Sequence, residues 1–184
     1  MSRMLLLSVR FHDGRYHGNG DWPPAPARVF QALVAANARG RDLAEQARQA
    51  LCWLEALAPP VIAAPRARMG QRYTNYVLGN DLDAALSQSK HGGNIDTAVA
   101  SIRVGKTIYP RLFDAAVPVL YLWTFDDGPD NDRHAACLCG MAENLYQLGC
   151  GVDMAWARGV LLDPDAGEGR LAVHDGRVYR PGGN

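Results

Sequence analysis

Residues 4–11, MLLLSVRF, alternate loosely between apolar and polar positions and predict a first strand. Val29, Phe30, Leu33 and Val34 recur at helical spacing, with Pro26 suited to a first turn and Gly40 as the stop. Leu43, Ala47, Leu51, Leu54 and Ala58 form a second apolar stripe over about 42–57, ended by Pro59-Pro60. Val61 to Ala64 predicts a short strand. The segment RARMGQRYTNYV predicts another, with Tyr73, Asn75 and Val77 on one face and Arg72, Thr74 and Tyr76 on the other. After an irregular stretch come KTIYPRLF and the strongly apolar PVLYLWTF. A helix is predicted over 131–148, capped by Asn131 or Asp130 and stopped by Gly149 and Gly151. DMAWARGVLLD predicts a strand, and GRLAVHDGRVYR predicts a hairpin turning at Asp175-Gly176.

Without the second helix and the irregular stretch, this order approaches β-α-β-β-α-β, a ferredoxin-like α+β domain. The same topology serves RNA-recognition domains. The 184 residues suit one domain over 1–180, with 181–184 as the start of a linker. Residues 79–101 carry few structural signals, and connections that long inside a compact domain are usually functional or disordered.

Formal net charge is zero, which excludes a generally nucleic-acid-coating protein. The distribution changes the picture. Residues 61–111 hold seven Lys/Arg against three acids, a net +4, while 112–184 hold five Arg against eleven acids, a net −6. The middle therefore suits a polyanion partner. Seventeen of the nineteen basic residues are Arg, whose planar fork grips phosphate; a GC-rich genome gives the same bias. Tyr73, Tyr76 and Tyr109 interleave with Arg66, Arg68, Arg72, Lys106 and Arg111. Aromatics that stack on bases beside cations that hold phosphates are the chemistry of single-strand binding. Half-buried strand tyrosines with solvated charges are the alternative.

Other chemistry finds little support. There is no GxSxG elbow, Walker loop or GxGxxG. His12, His17, Asp13 and Asp21 match no metal-ligand spacing, and DDGPDND reads as capping and solvated acids. No cofactor is expected. Cys52, Cys137, Cys139 and Cys150 form no CxxC pair and are expected to be buried free thiols of a cytoplasmic protein. No stretch has the ~20 apolar residues of a membrane span.

Three motifs, GRYHGNGDWPPAPARVFQALVAA, APPVIAAPRARMGQRYTNYV and YPRLFDAAVPVLYLW, occur in this order over residues 4–125. Together they resemble the N-terminal "Cas five" half of the fused Cas five–Cas six subunit (Csb-two) of type I-G, earlier I-U, CRISPR Cascade. The resemblance implies a RAMP-superfamily domain with a protruding thumb hairpin, best matched by 79–104. It implies capping of the crRNA 5′ handle, contact with the backbone and large subunits, and only indirect contact with target DNA. Repeat cleavage belongs to the other half of that fusion, so this chain is expected to be non-catalytic. On their charge, aromatic character and hydrogen-bonding groups, the expected RNA contacts are Arg15, Tyr16, His17, Arg66, Arg68, Arg72, Tyr73, Asn75, Lys90, Arg103, Lys106 and Arg111. The alternative is metal-independent cleavage of pre-crRNA, with His17 as base, Tyr16 as acid and Lys106 stabilising the oxyanion.

Overall fold

The computed structural model describes residues 1–18, 21–38, 42–78 and 103–182. Strand β1 is Ser2–Phe11 and the two-residue β2 is Arg15–Tyr16. Helices α1 (Pro26–Ala38) and α2 (Glu45–Ala56) follow, then strands β3 (Val61–Ala64), β4 (Arg68–Met69) and β5 (Tyr73–Leu78). Next come β6 (Arg103–Ile108), β7 (Arg111–Leu112) and β8 (Val119–Asp126). Helix α3 (Pro129–Ala142), strand β9 (Ala155–Leu162), helix α4 (Pro164–Ala172) and strand β10 (Arg177–Tyr179) complete the order.

The main sheet has the order β10-β3-β8-β1-β9, and each neighbouring pair is antiparallel. Four of these strands, β3-β8-β1-β9, are compatible with the ferredoxin-like arrangement, to which β10 adds a fifth at the β3 edge. The central strand β1 explains its own sequence. Leu5, Leu7, Val9 and Phe11 face the helices in the main core, while Met4 and Leu6 enter a smaller cluster under Leu171 of α4. A strand covered on both faces reads as a continuous apolar run, which is why LLL interrupts the alternation.

The C-terminal hairpin expected over GRLAVHDGRVYR does not form; α4 and β10 take its place. Pro164 stands in the first turn, where its missing N–H costs nothing, and Asp165 favours the helix N-terminus. The turn at Asp175-Gly176 does reverse the chain, but β10 pairs with β3, with Tyr179 opposite Ile62. A turn signal specifies a reversal, not the partner strand.

The helix expected over 131–148 ends at Ala142, and its N-cap is Gly128, not Asn131 or Asp130. Asn131 instead donates to Asp126 O at 2.8 Å and accepts from Trp53 Nε1 at 2.9 Å. Leu145 and Leu148 are buried as expected, held by turns after the helix. KTIYPRLF is not one strand. Pro110 cannot donate to a ladder, and the chain leaves the β5–β6 ribbon there to join the small sheet β2-β7-β4.

The thiols are also corrected. Cys52 and Cys150 are exposed and Cys137 and Cys139 half-buried, all four free. The buried stripe of α2 is Ala50, Leu51 and Leu54, and Cys52 points away from it. The thumb expected over 79–104 falls outside the described residues from 79 to 102, and Lys90 falls with it.

Candidate nucleic-acid interface

The loop after β1 is built on an aromatic cluster. Phe11 meets Tyr16 edge-on at 5.7 Å and Phe113 at 5.5 Å, and Trp22 stacks on Phe113 at 4.3 Å. Trp22 Nε1 donates to Pro65 O at 2.9 Å, tying this loop to the end of β3. Gly18 fits because a Cβ there would overlap the Tyr16 ring.

Next to this cluster lies one buried acid. Asp153 is 2% exposed and accepts from His17 N at 3.0 and 3.1 Å, from Cys150 N at 2.9 Å and from His17 Nδ1 at 2.6 Å. A carboxylate that only accepts fixes the hydrogen of the imidazole on Nδ1. The Cys150 thiol donates to His17 O at 3.3 Å, closing a latch between the first loop and the turn before β9. Gly149 sits in that turn at φ +114°, where a side chain is strained. The latch reaches the ribbon, because the His17 ring stands edge-on to Tyr73 at 6.1 Å.

The expected contact residues separate into groups. In the β5–β6 ribbon Asn75 is opposite Lys106, so Tyr73, Asn75 and Lys106 share the face beside His17. Burial pushes the Cys150 thiol up, as does Asp153, while the charges of Arg28 and Lys106 oppose the rise. Tyr76 is on the other face, 71% exposed. In the small sheet Arg15 and Arg68 both register with Leu112, which puts two exposed guanidiniums on one face. Arg15 is shared with Asp13 at 3.3 Å. Arg66 and Arg111 line a cleft of about 390 Å³ together with Trp22, Arg177 and Tyr179. Arg72 is exposed, and Arg103 begins β6.

Tyr16 is corrected as a contact residue. It is 1% exposed, with its ring in the cluster, and cannot stack on a base. Burial pushes its hydroxyl up to about 12, against the pull of the Arg28 charge and with help from Asp153. Tyr121, fully buried, is raised well above its usual value by burial, and its hydroxyl donates to Pro24 O at 2.7 Å. Both stay protonated in the fold while the unfolded chain ionises near pH 10. Their contribution to stability is therefore complete below about pH 10, falls as pH rises, and for Tyr16 is gone past about pH 12. Urea unfolding at pH 9, 10 and 11 should show this fall, and Tyr16→Phe should flatten it. Stability that holds or grows over this range would contradict the assignment.

Sequence reasoning missed Asp153, Arg177 and Tyr179. An acid between Gly149 and an apolar strand was the one available signal for Asp153, and nothing local named a partner 136 residues away. Arg177 and Tyr179 fell inside the expected hairpin. Among the described residues no group of three or more His, Cys, Asp or Glu could hold a metal ion, and no helix is long and apolar enough to cross a membrane.

These elements define an α+β domain with antiparallel sheets whose surface carries arginine- and aromatic-lined clefts. The family of CRISPR-associated proteins described as the GSU0054 family matches residues 2–171, and the chain belongs to that family. A role in CRISPR defence follows from that membership. No curated protein matches the chain. A crystal structure of a CRISPR protein from Archaeoglobus fulgidus is similar over 86% of this chain and 63% of that chain, at 12% identity and a TM-score of 0.39. The chain thus spans less than two thirds of that protein's length.

Proposed function

We propose that the chain is a non-catalytic RNA-binding subunit of a type I-G CRISPR surveillance complex, the Cas five half of the Cas five–Cas six fusion. In this reading it is a RAMP domain that caps the 5′ handle of crRNA and contacts the backbone and large subunits. The observation that carries the reading is the cleft in which Arg66, Arg111 and Arg177 meet Trp22 and Tyr179. Three guanidiniums with two aromatic rings supply phosphate clamps and stacking partners in one place. The ribbon face of Tyr73, Asn75 and Lys106 adds a second row of the same chemistry.

Filter binding with 5′-handle RNA and a scrambled RNA tests it. The handle should bind more tightly, and affinity should fall with salt at a slope of about −0.7 per phosphate neutralised. Arg66→Glu with Arg111→Glu should weaken binding at least tenfold and shallow the slope by ~1.4. Equal, weak binding of both RNAs would reject the reading.

One observation favours cleavage instead. The His17 imidazole is oriented by a buried carboxylate through Nδ1, which leaves Nε2 to accept a proton from a 2′-hydroxyl, with the Lys106 charge nearby. Tyr16 cannot be the acid of such a reaction, being buried with its proton held to about pH 12. Labelled repeat RNA incubated with excess protein in EDTA distinguishes the two. The proposed function expects intact RNA, and cleavage lost in His17→Ala would establish the alternative.

A further inference from the structure

The second face of the main sheet is only partly covered. Helix α4 lies over its first half, where Met4, Leu6 and Leu122 meet Leu171. Gly167 allows the close approach, since a Cβ there would overlap Met4 Sδ. Beyond α4 the character of the same face changes. Ser8 is opposite Arg158 and Arg10 is opposite Trp156 in the β1–β9 ladder, so all four side chains share that face. Arg170, at the end of α4, closes the other side of the opening. The result is a groove of about 670 Å³, within the range of clefts that hold ligands.

The groove has the components of a stacking site. Trp156 is 46% exposed on the sheet, and its ring is steadied by His12, edge-on at 4.8 Å. An exposed indole supported from one side costs little further ordering when a base stacks on it. Arg10, Arg158 and Arg170 are exposed, and no carboxylate forms an ion pair with them among the described residues. Asp175 is the acid on the rim. His174 donates from Nε2 to Pro118 O at 2.7 Å, and its buried Nδ1 finds no partner.

None of these residues belongs to the cleft of Arg66 and Arg111, and they come from the opposite end of the charge pattern. The last third of the chain is acidic, yet two of its five arginines converge here with Arg10. Cations that concentrate around an exposed aromatic ring, against the local charge balance, match the alternation of phosphate and base in an unpaired strand. Between the arginines the groove is lined by Leu6, Leu120 and Val160, an apolar floor that suits the flat face of a base and leaves the phosphates to the surrounding cations.

From this geometry we infer that the open end of the sheet is a second, independent binding site for single-stranded nucleic acid. One base stacks on Trp156, and the flanking phosphates are held by Arg10, Arg158 and Arg170.

Tryptophan fluorescence reads this site once the Trp22 cleft is disabled, because Trp123 is buried and Trp53 half-buried. The titration uses the Arg66→Glu, Arg111→Glu protein, in which the first cleft is disabled, with U10 and dT10 oligonucleotides. Both should bind and quench the emission, since stacking and phosphate contact are common to RNA and DNA; binding of U10 alone would assign the site to RNA. Trp156→Ala should weaken binding about tenfold, as should Arg10→Glu with Arg158→Glu. Trp156→Phe should keep most of the affinity while removing the quench, which separates loss of stacking from loss of fold. Failure of both oligonucleotides to bind, or full affinity in the arginine variant with native circular dichroism, would overturn the inference. Either result leaves handle binding by the unmodified protein as a separate measurement.

Discussion

Asp153→Ala is expected to destabilise the protein by about 3–5 kcal/mol, because it strips the acceptor from three donors at a buried site, each loss costing about 1–3 kcal/mol. The side chain of Asp153 is fully buried and answers two backbone N–H groups and one imidazole N–H. Without it those donors lose their acceptor in a place where the surrounding chain admits little water. The turn at Gly149 loses its anchor at the same time, because the carboxylate lies where a Gly149 Cβ would come within 2.7 Å of Oδ2. Thermal melting should fall by roughly 10 °C, given ~2–4 °C per kcal/mol in a chain of this size. Asp153→Asn keeps the shape and one acceptor oxygen but turns an amide toward donors, so its cost should lie between wild type and alanine. If Asp153→Ala melted within a degree or two of wild type, the latch would not hold the loop. The pairing would then be read as incidental, with His17 contributing through Tyr73 alone.

Gly159→Val should be comparably damaging, for a different reason. A Cβ at Gly159 would lie 2.4 Å from Cys139 Cα and 2.8 Å from its Cβ and Sγ. The nearest obstacle is the backbone of α3, which cannot yield as a side chain can. Moving α3 outward would open the core around Ala135, Leu138, Met141 and Ala142, all buried on that helix. Overpacking of this kind costs about 3 kcal/mol. Gly140→Ala on the same helix is the control. A Cβ there meets nothing within 4 Å, and the exchange should stabilise by up to ~1 kcal/mol through helix propensity. Urea midpoints shifting in opposite directions for the two variants would establish that helix–strand approach, not glycine content, is what matters.

The candidate contact residues divide along the same line between local and distant causes. Arg66 and Arg111 were visible as part of a basic, tyrosine-bearing segment, but their meeting with Arg177 and Trp22 was not. Arg177 reaches the cleft only because β10 pairs with β3, and that pairing joins segments more than a hundred residues apart. Arg15 and Arg68 read as scattered charges until β2 and β4 both register on β7. Strands of two residues carry no periodicity, so no pattern could announce them. Tyr16 failed in the opposite sense. Its place in GRYH suggested exposure, whereas Phe11, Trp22 and Gly149 enclose it.

What the sequence determined by itself were the features set within one or two turns of chain. These are the apolar runs of β1 and β8, the stripes of α1 and α2, and the prolines that stop α2. Backbone sterics and burial periodicity act locally, so a local pattern suffices to specify them. The tertiary structure decided the latch of His17 on Asp153, the use of α4 and β10 in place of a hairpin, and the gathering of Arg10, Trp156, Arg158 and Arg170 on one open sheet face. Each depends on which distant segment supplies the partner. That choice is made by the packing of the whole core and the registers of its antiparallel strands, because a side chain's neighbours across a sheet are fixed by pairing rather than by sequence distance.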